Sequence, residues 1–336
     1  MKRFLLACLL LALVVCMLPT QAHAASQGDF EYSITDGKST LTKYTGNSEV
    51  VNVPATLGGC PLVAVGNWAF ELCDGVTSVV LPDSVTFIGD YAFNNCTNLT
   101  SVTLPKVTIL SKYSFSGCTS LKSVTLPEGL TTIGPNAFSD CTALTSIAVP
   151  NTVTIIDESA FFGCVQLSAV ILSERLTTIG SYAFADCSNL FSITIPGSVT
   201  TIGIGAFNSC TKLTSIALPE RLALVESYTF SGCTSLKEIS IPESMLRIAD
   251  DAFTDAPLES VRYGGTRKQW KDMDRGNNPP LEKATVHYTW STLFPEWDNG
   301  TPVLLVIILL LVAALIALRY LPRRRRRGRK RPKYLR

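Results

Sequence analysis

Phenylalanine returns along this chain at a near-constant step: Phe70, Phe93, Phe115, Phe138, Phe161, Phe184, Phe207, Phe230 and Phe253 are 23 residues apart each time, except for one step of 22. A fixed period of that size predicts a stack of similar turns, since no single short unit can bury its own apolar side. In such an array each turn touches only its neighbours, and the molecule offers a long repetitive surface in place of one cleft.

The turn from Val85 to Leu104 shows what a unit contains. Val102 and Leu104 alternate with Ser101 and Thr103, which predicts a half-buried strand with its hydroxyls outward. Proline follows at Pro82, Pro105, Pro127, Pro150, Pro196, Pro219 and Pro242, with Ser173 as the exception. Having no N–H, it stops ladder pairing and sets a corner. Val85 and Ile88 suggest a second short extended piece, after which Gly89 lets the chain swing away. Ala92, Phe93 and Cys96 lie three or four apart, which predicts a single helical turn with its apolar side inward.

Stacked in register, these units give a phenylalanine ladder, a leucine ladder, a parallel sheet and a cysteine ladder of Cys96, Cys118, Cys141, Cys164, Cys187, Cys210 and Cys233, preceded by Cys73. Cysteine at one repeated position reads as a small buried filler holding a free thiol. Bridging between neighbouring turns is the competing reading, since stacked strands lie about 4.8 Å apart, within disulfide reach. Ala256 fills the same place in the last turn, and a Cys60–Cys73 bridge has nothing in its favour beyond proximity in the chain.

The spacing Leu99-x-x-Val102-x-Leu104, renewed at Leu121-Val124-Leu126 and Leu213-Ile216-Leu218, is the apolar skeleton of a leucine-rich repeat. With Ile133-Gly134, Ala137-Phe138, Cys141, Leu144 and Ile147, and again Ile179-Gly180, Ala183-Phe184, Cys187, Leu190 and Ile193, the fuller pattern resembles the BspA-like bacterial leucine-rich repeat family over about residues 29 to 290. Leu110-Ser111 and Val225-Glu226 depart from Ile-Gly, and Ser114 and Thr229 from Ala, which should alter packing only locally. The resemblance implies an α/β-type repeat solenoid: a superhelix with a parallel β-sheet face, mostly strand and loop, with single helical turns. It also implies a surface protein of a host-associated microbe whose relatives bind matrix proteins or other cells, and it carries over no ligand residue.

The two ends predict a membrane protein. Residues 1–24, with Lys2 and Arg3, an apolar run from Phe4 to Leu18 and Ala22-His23-Ala24, read as a secretory signal. Val303 to Leu318 is apolar throughout, and Arg323 to Arg327 follow, so 303–321 reads as one transmembrane helix with the basic tail 322–336 in the cytoplasm on anionic lipid. Between them lie a hairpin cap (25–49, around Asp36-Gly37), a solenoid of about nine 23-residue turns (50–263), a C-terminal cap (264–290) with a short helix near Trp270 and a final strand from Ala284, and a linker (291–302). The expected location is the cell membrane, single-pass, with the solenoid outside.

Charge restricts the partners. Of 29 Lys and Arg, 11 stand from Arg319 onward, while residues 25–302 hold 16 against all 27 Asp and Glu, a net of −11. An acidic outer domain excludes nucleic acid as a natural ligand. The mature chain has one histidine, His287, and no phosphate loop, dinucleotide fingerprint or calcium-binding repeat, so neither enzyme nor cofactor is expected. The partner expected is a protein or host-matrix ligand. The sheet face of Ser101, Thr103, Ser123, Thr125, Ser146, Ser192, Thr194 and Ser215 is either its docking surface or plain solubilising surface, and Tyr91, Tyr182, Phe191 and Tyr228 are further contact candidates. An envelope spacer without a ligand is the alternative function, and an exported enzyme a remote one.

Overall fold

Successive turns of the chain are tied together by three backbone ladders, two of them interrupted, as described by a computed structural model over residues 24–288. The expected linker, membrane span and basic tail, and all but the last residue of the expected signal, lie outside the described residues.

The first ladder is the strand before the proline corner. Its pairings are parallel and in register one turn apart, as in Ser146↔Ala169, Ile147↔Val170 and Ala148↔Ile171. One face is buried and the other exposed, which is what the alternation requires. The sheet is not continuous, however. Val50–Asn52, Ser78–Val80 and Ser101–Thr103 form one piece, Ser146–Ala148 and Ala169–Ile171 a second, and Ser215–Ala217, Glu238–Ile241, Ser260–Tyr263 and Thr285–Tyr288 a third. Residues 123–125 keep a single bridge, Thr103↔Thr125, and 192–194 form no strand.

The second ladder is shorter: Ile109–Leu110, Thr132–Ile133, Ile155–Ile156, Thr178–Ile179 and Thr201–Ile202 pair in parallel, and Leu224–Val225 continues with Arg247–Ile248. The glycine that follows is needed for close approach. A Cβ at Gly134 would collide with the carbonyl oxygen of Leu110 in the preceding turn, and one at Gly180 with the backbone of Asp157.

The third ladder corrects the sequence reading. Around each phenylalanine there is no helical turn but a run of β-turns. Ala92 N–H donates to the Gly89 carbonyl at 3.3 Å and Cys96 N–H to Phe93 at 3.3 Å, while the amides of Tyr91, Phe93 and Asn95 donate to Lys112, Ser114 and Ser116 of the next turn. Tyr91 and Asn95 are left-handed, with φ of 57° and 56°, as the third residue of a type II turn must be. A helix would point those three amides along its own axis; here they reach the neighbouring turn. The described helices are confined to the C-terminal cap.

Inside the ladders the phenylalanines form a fully buried column, with successive rings 4.9–5.7 Å apart and within 14° of parallel. Offset-stacked pairs of this kind contribute about 0.5–1.5 kcal/mol each beyond burial. The cysteines beside them are free. From Cys96 to Cys233 each Sγ donates to the carbonyl of the phenylalanine one turn back, at 3.0–3.3 Å. The residue is therefore a filler and also a weak donor, bonded across the turn boundary in place of a bridge to its neighbour.

Distinct covers close both ends. At the N-terminus β1 (Ala24–Gln27), β2 (Phe30–Thr35) and β3 (Lys38–Tyr44) form an antiparallel meander whose β2–β3 hairpin turns at Asp36 and Gly37, both at positive φ. Tyr44 stacks on Phe70 at 5.3 Å and meets Phe30 in a tilted contact at 5.5 Å, which extends the ring column into the cap. At the other end α1 (Arg267–Asp272) begins with a capping box between Thr266 and Gln269 and buries Trp270 against Tyr263. A second helix, α2 (Pro279–Lys283), buries Leu281. Just before it, buried Asn278 replaces the missing next turn: its Oδ1 accepts from Phe253 N–H at 3.2 Å, and its Nδ2 donates to the carbonyls of Ala249 and Arg275.

Candidate interaction surfaces

All eight hydroxyl residues of the expected ligand face, Ser101, Thr103, Ser123, Thr125, Ser146, Ser192, Thr194 and Ser215, are exposed on the outer side of the first ladder. They share the face with small, exposed side chains such as Ala148 and Ala217. Ser101 Oγ donates to Ser78 Oγ at 3.1 Å, a link between turns. Beside this row, Thr100, Thr145 and Ser168 donate their hydroxyls to carbonyls one turn back at 2.9–3.4 Å, so part of the hydroxyl content serves the stack itself. The face is broken by Ile171, 68% exposed, and bordered by Phe191, 55% exposed, which lies at the gap in the sheet. Few of its side chains are of the Trp, Tyr or Arg type that dominates protein hot spots.

A second surface follows from the third ladder. The residue two before each phenylalanine and the residue two after it are left-handed in every turn. The first set is Trp68, Tyr91, Tyr113, Asn136, Ser159, Tyr182, Gly205, Tyr228 and Asp251; the second contains Leu72, Asn95, Gly117, Asp140 and Gly163. A side chain other than Gly, Asn or Asp costs about 1–2 kcal/mol in this conformation. The second set mostly obeys that preference. The first holds an aromatic residue in five of nine turns, against the preference of its own backbone.

These aromatics stand at the rim. Trp68 stacks on Tyr91 at 6.1 Å, and Tyr91 on Tyr113 at 4.8 Å and 9°, with Lys112 Nζ 5.3 Å from the Tyr113 ring centre. Tyr182 and Tyr228 are exposed without such a column, and a Cβ at Gly205 would strike the Tyr182 ring. Sequence reasoning named Tyr91, Tyr182, Phe191 and Tyr228 but missed Trp68, Leu72 and Tyr113. The fixed offset of Trp68 and Tyr113 from the repeat phenylalanine was the available signal.

The buried thiols offer no accessible nucleophile. Burial is the main cause that pushes Cys118, Cys141, Cys164, Cys187 and Cys210 well above the ordinary thiol range, and it lifts Cys233 to about 12. His287 is exposed in the last described strand, opposite Arg262. Among the described residues no group of three or more His, Cys, Asp or Glu could hold a metal ion.

The family described as BspA type leucine rich repeat region matches the chain in six copies, over residues 63–174 and 154–273. A crystal structure of a leucine-rich repeat protein from Bacteroides ovatus is similar with 29% identity and a TM-score of 0.69, covering 79% of this chain and 71% of that one. The leucine-rich repeat protein of T. pallidum is similar with 31% identity and a TM-score of 0.53, over 57% of this chain and 91% of its own. No curated protein matches the chain.

Proposed function

The chain belongs to the BspA-type leucine-rich repeat family, and from that premise we propose that it is a membrane-anchored bacterial surface protein whose solenoid binds a protein or host-matrix ligand. The observation that carries this reading is how completely the interior is used. Every repeat phenylalanine, and every repeat cysteine from Cys96 to Cys233, is fully buried in a column, so what the described chain has left to offer is its extended outer surface. Such surfaces are what solenoids use for recognition. The reading assigns no catalysis and no cofactor.

The anchor rests on sequence. The leader at 1–24, the apolar run Val303 to Leu318 within the expected span 303–321, and the basic tail support a solenoid outside and a C-terminus in the cytoplasm. Among the described residues no helix is long and apolar enough to cross a membrane. Fractionation of cells making the full-length chain is expected to recover it in the membrane pellet, with the solenoid open to protease added outside; recovery in the medium would overturn the anchor.

Binding is tested with the full-length chain in detergent against immobilised matrix proteins and glycans. Saturable capture by at least one protein is expected. Silence across the array supports the spacer reading, which the small, hydroxyl-rich sheet face favours for that surface. Replacing Ser101, Ser146 and Ser215 together by Arg separates the surfaces, because capture that survives this change does not use the sheet face.

A further inference from the structure

The rim of the first repeats differs from every later one. Trp68 and Leu72 lie in the same turn, both left-handed, at φ 58° and 59°, and both mostly exposed, at 53% and 63%. The turns that follow place Asn95, Gly117, Asp140 and Gly163 where Leu72 stands, residues that adopt this backbone readily. An exposed leucine and an exposed tryptophan gain little from burial, so their own turn does not account for them; strained residues gathered at one place are a mark of a working surface. Trp68 also heads the ring column that runs through Tyr91 to Tyr113.

We propose that this rim is a docking site for a lysine- or arginine-bearing segment of a protein partner, seated on Trp68 and Leu72. The inference deepens the interaction reading above and rests on it. Charge is the main argument for a cationic occupant. Residues 25–105 carry eight Asp and Glu against two Lys. Three of the acids flank the site: Glu71, whose amide donates to the Trp68 carbonyl; Asp90, whose carbonyl accepts from Trp68 N–H at 3.0 Å; and Asp74, two residues beyond Leu72. The far end of the column already holds an ammonium group, Lys112 over Tyr113. Aromatic faces attract such cations, and Trp does so most strongly. Leu72 adds the apolar contact that an amphipathic basic segment needs, and Trp and Tyr anchors are the side chains that most often carry binding energy.

The test uses the full-length chain and a fluorescent lysine–leucine amphipathic peptide, with a glutamate–leucine peptide of equal length as control, read by anisotropy. The cationic peptide is expected to bind and to weaken as salt rises. The combined variant Trp68→Asn and Leu72→Asn is expected to bind it at least tenfold more weakly with unchanged circular dichroism, because asparagine already holds this conformation at Asn95 and Asn136. Equal binding by this variant, equal binding of the acidic peptide, or no binding of the cationic one would overturn the proposal. Should Ser146→Asn with Ser215→Asn abolish binding while the rim variant keeps it, the rim falls and the interaction reading stands.

Discussion

The interior columns and the rim of this molecule share one repeat but use it in opposite ways. Inside, side-chain identity is repeated along with the backbone: phenylalanine follows phenylalanine and thiol follows thiol, each fully buried from the second repeat onward. At the rim only the backbone is repeated. Left-handed geometry recurs in every turn, while its occupants run from Gly205 and Asp251 to Trp68 and Tyr228. The difference teaches that the stack is specified from within, and that sequence is free to vary where no neighbour constrains it. Variation that works against local preference, as at Trp68 and Leu72, then points outward to a partner.

The comparison breaks most visibly at its centre. Phe161→Ala opens a cavity between two stacked rings and is expected to cost about 3–5 kcal/mol, read as a lower urea midpoint. If a rim substitution such as Tyr182→Asn cost as much, the division between column and rim would be wrong. Next in size, Asn278→Ala leaves the last phenylalanine amide without its acceptor and should cost about 1–3 kcal/mol. Hydrogen exchange would place that loss at the C-terminal turns, since solenoid interfaces act between nearest neighbours.

The thiol column sharpens the contrast through pH. Burial holds Cys233 at about 12 against an ordinary 9.0 and pushes the thiols within the stack well above that ordinary value too. Between those values the folded chain keeps protons that an unfolded chain gives up. Stability is therefore full below about 9.0 and falls as pH rises from there toward 12. Melting temperature across that window checks the sign, and a chain with Cys141, Cys164 and Cys187 changed to Ala should fall less steeply. The smallest effect is expected at Leu72→Asn: relief of the left-handed backbone and the loss of a mostly exposed side chain leave a change within about 1 kcal/mol, toward greater stability.

Much of the fold was legible because the columns write themselves into the sequence at a fixed step. Pro105 and Pro127 marked their corners, and Leu99, Val102 and Leu104 their strand. The turn around each phenylalanine was misread because Ala92, Phe93 and Cys96 sit three and four apart in a helix and in consecutive β-turns alike. Asn136, Asp140, Gly163 and Asp186, which favour positive φ, were the clue, obscured by aromatics at the equivalent place in other turns. Tyr44 escaped notice because it lies off the period, and Asn278 because a side chain standing in for a backbone carbonyl has no local signature. The gaps at 123–125 and 192–194 interrupt a residue pattern that continues through them unchanged, so spacing alone could not mark them. Of the surfaces, the hydroxyl face followed from alternation alone, while the acidic aromatic rim needed the stacking of Trp68, Tyr91 and Tyr113 to be seen.

The Sγ-to-carbonyl bonds and the ring contacts look the same at nearly every joint, and this bears on how the gene can change. Excising 139–161, one period, would bring together two ends whose new junction is chemically equivalent to the one removed, with both lids untouched. Duplication of such a block is as silent. Reach is thus adjustable in steps of one coil by loss or gain of a whole period, without redesign of either terminus.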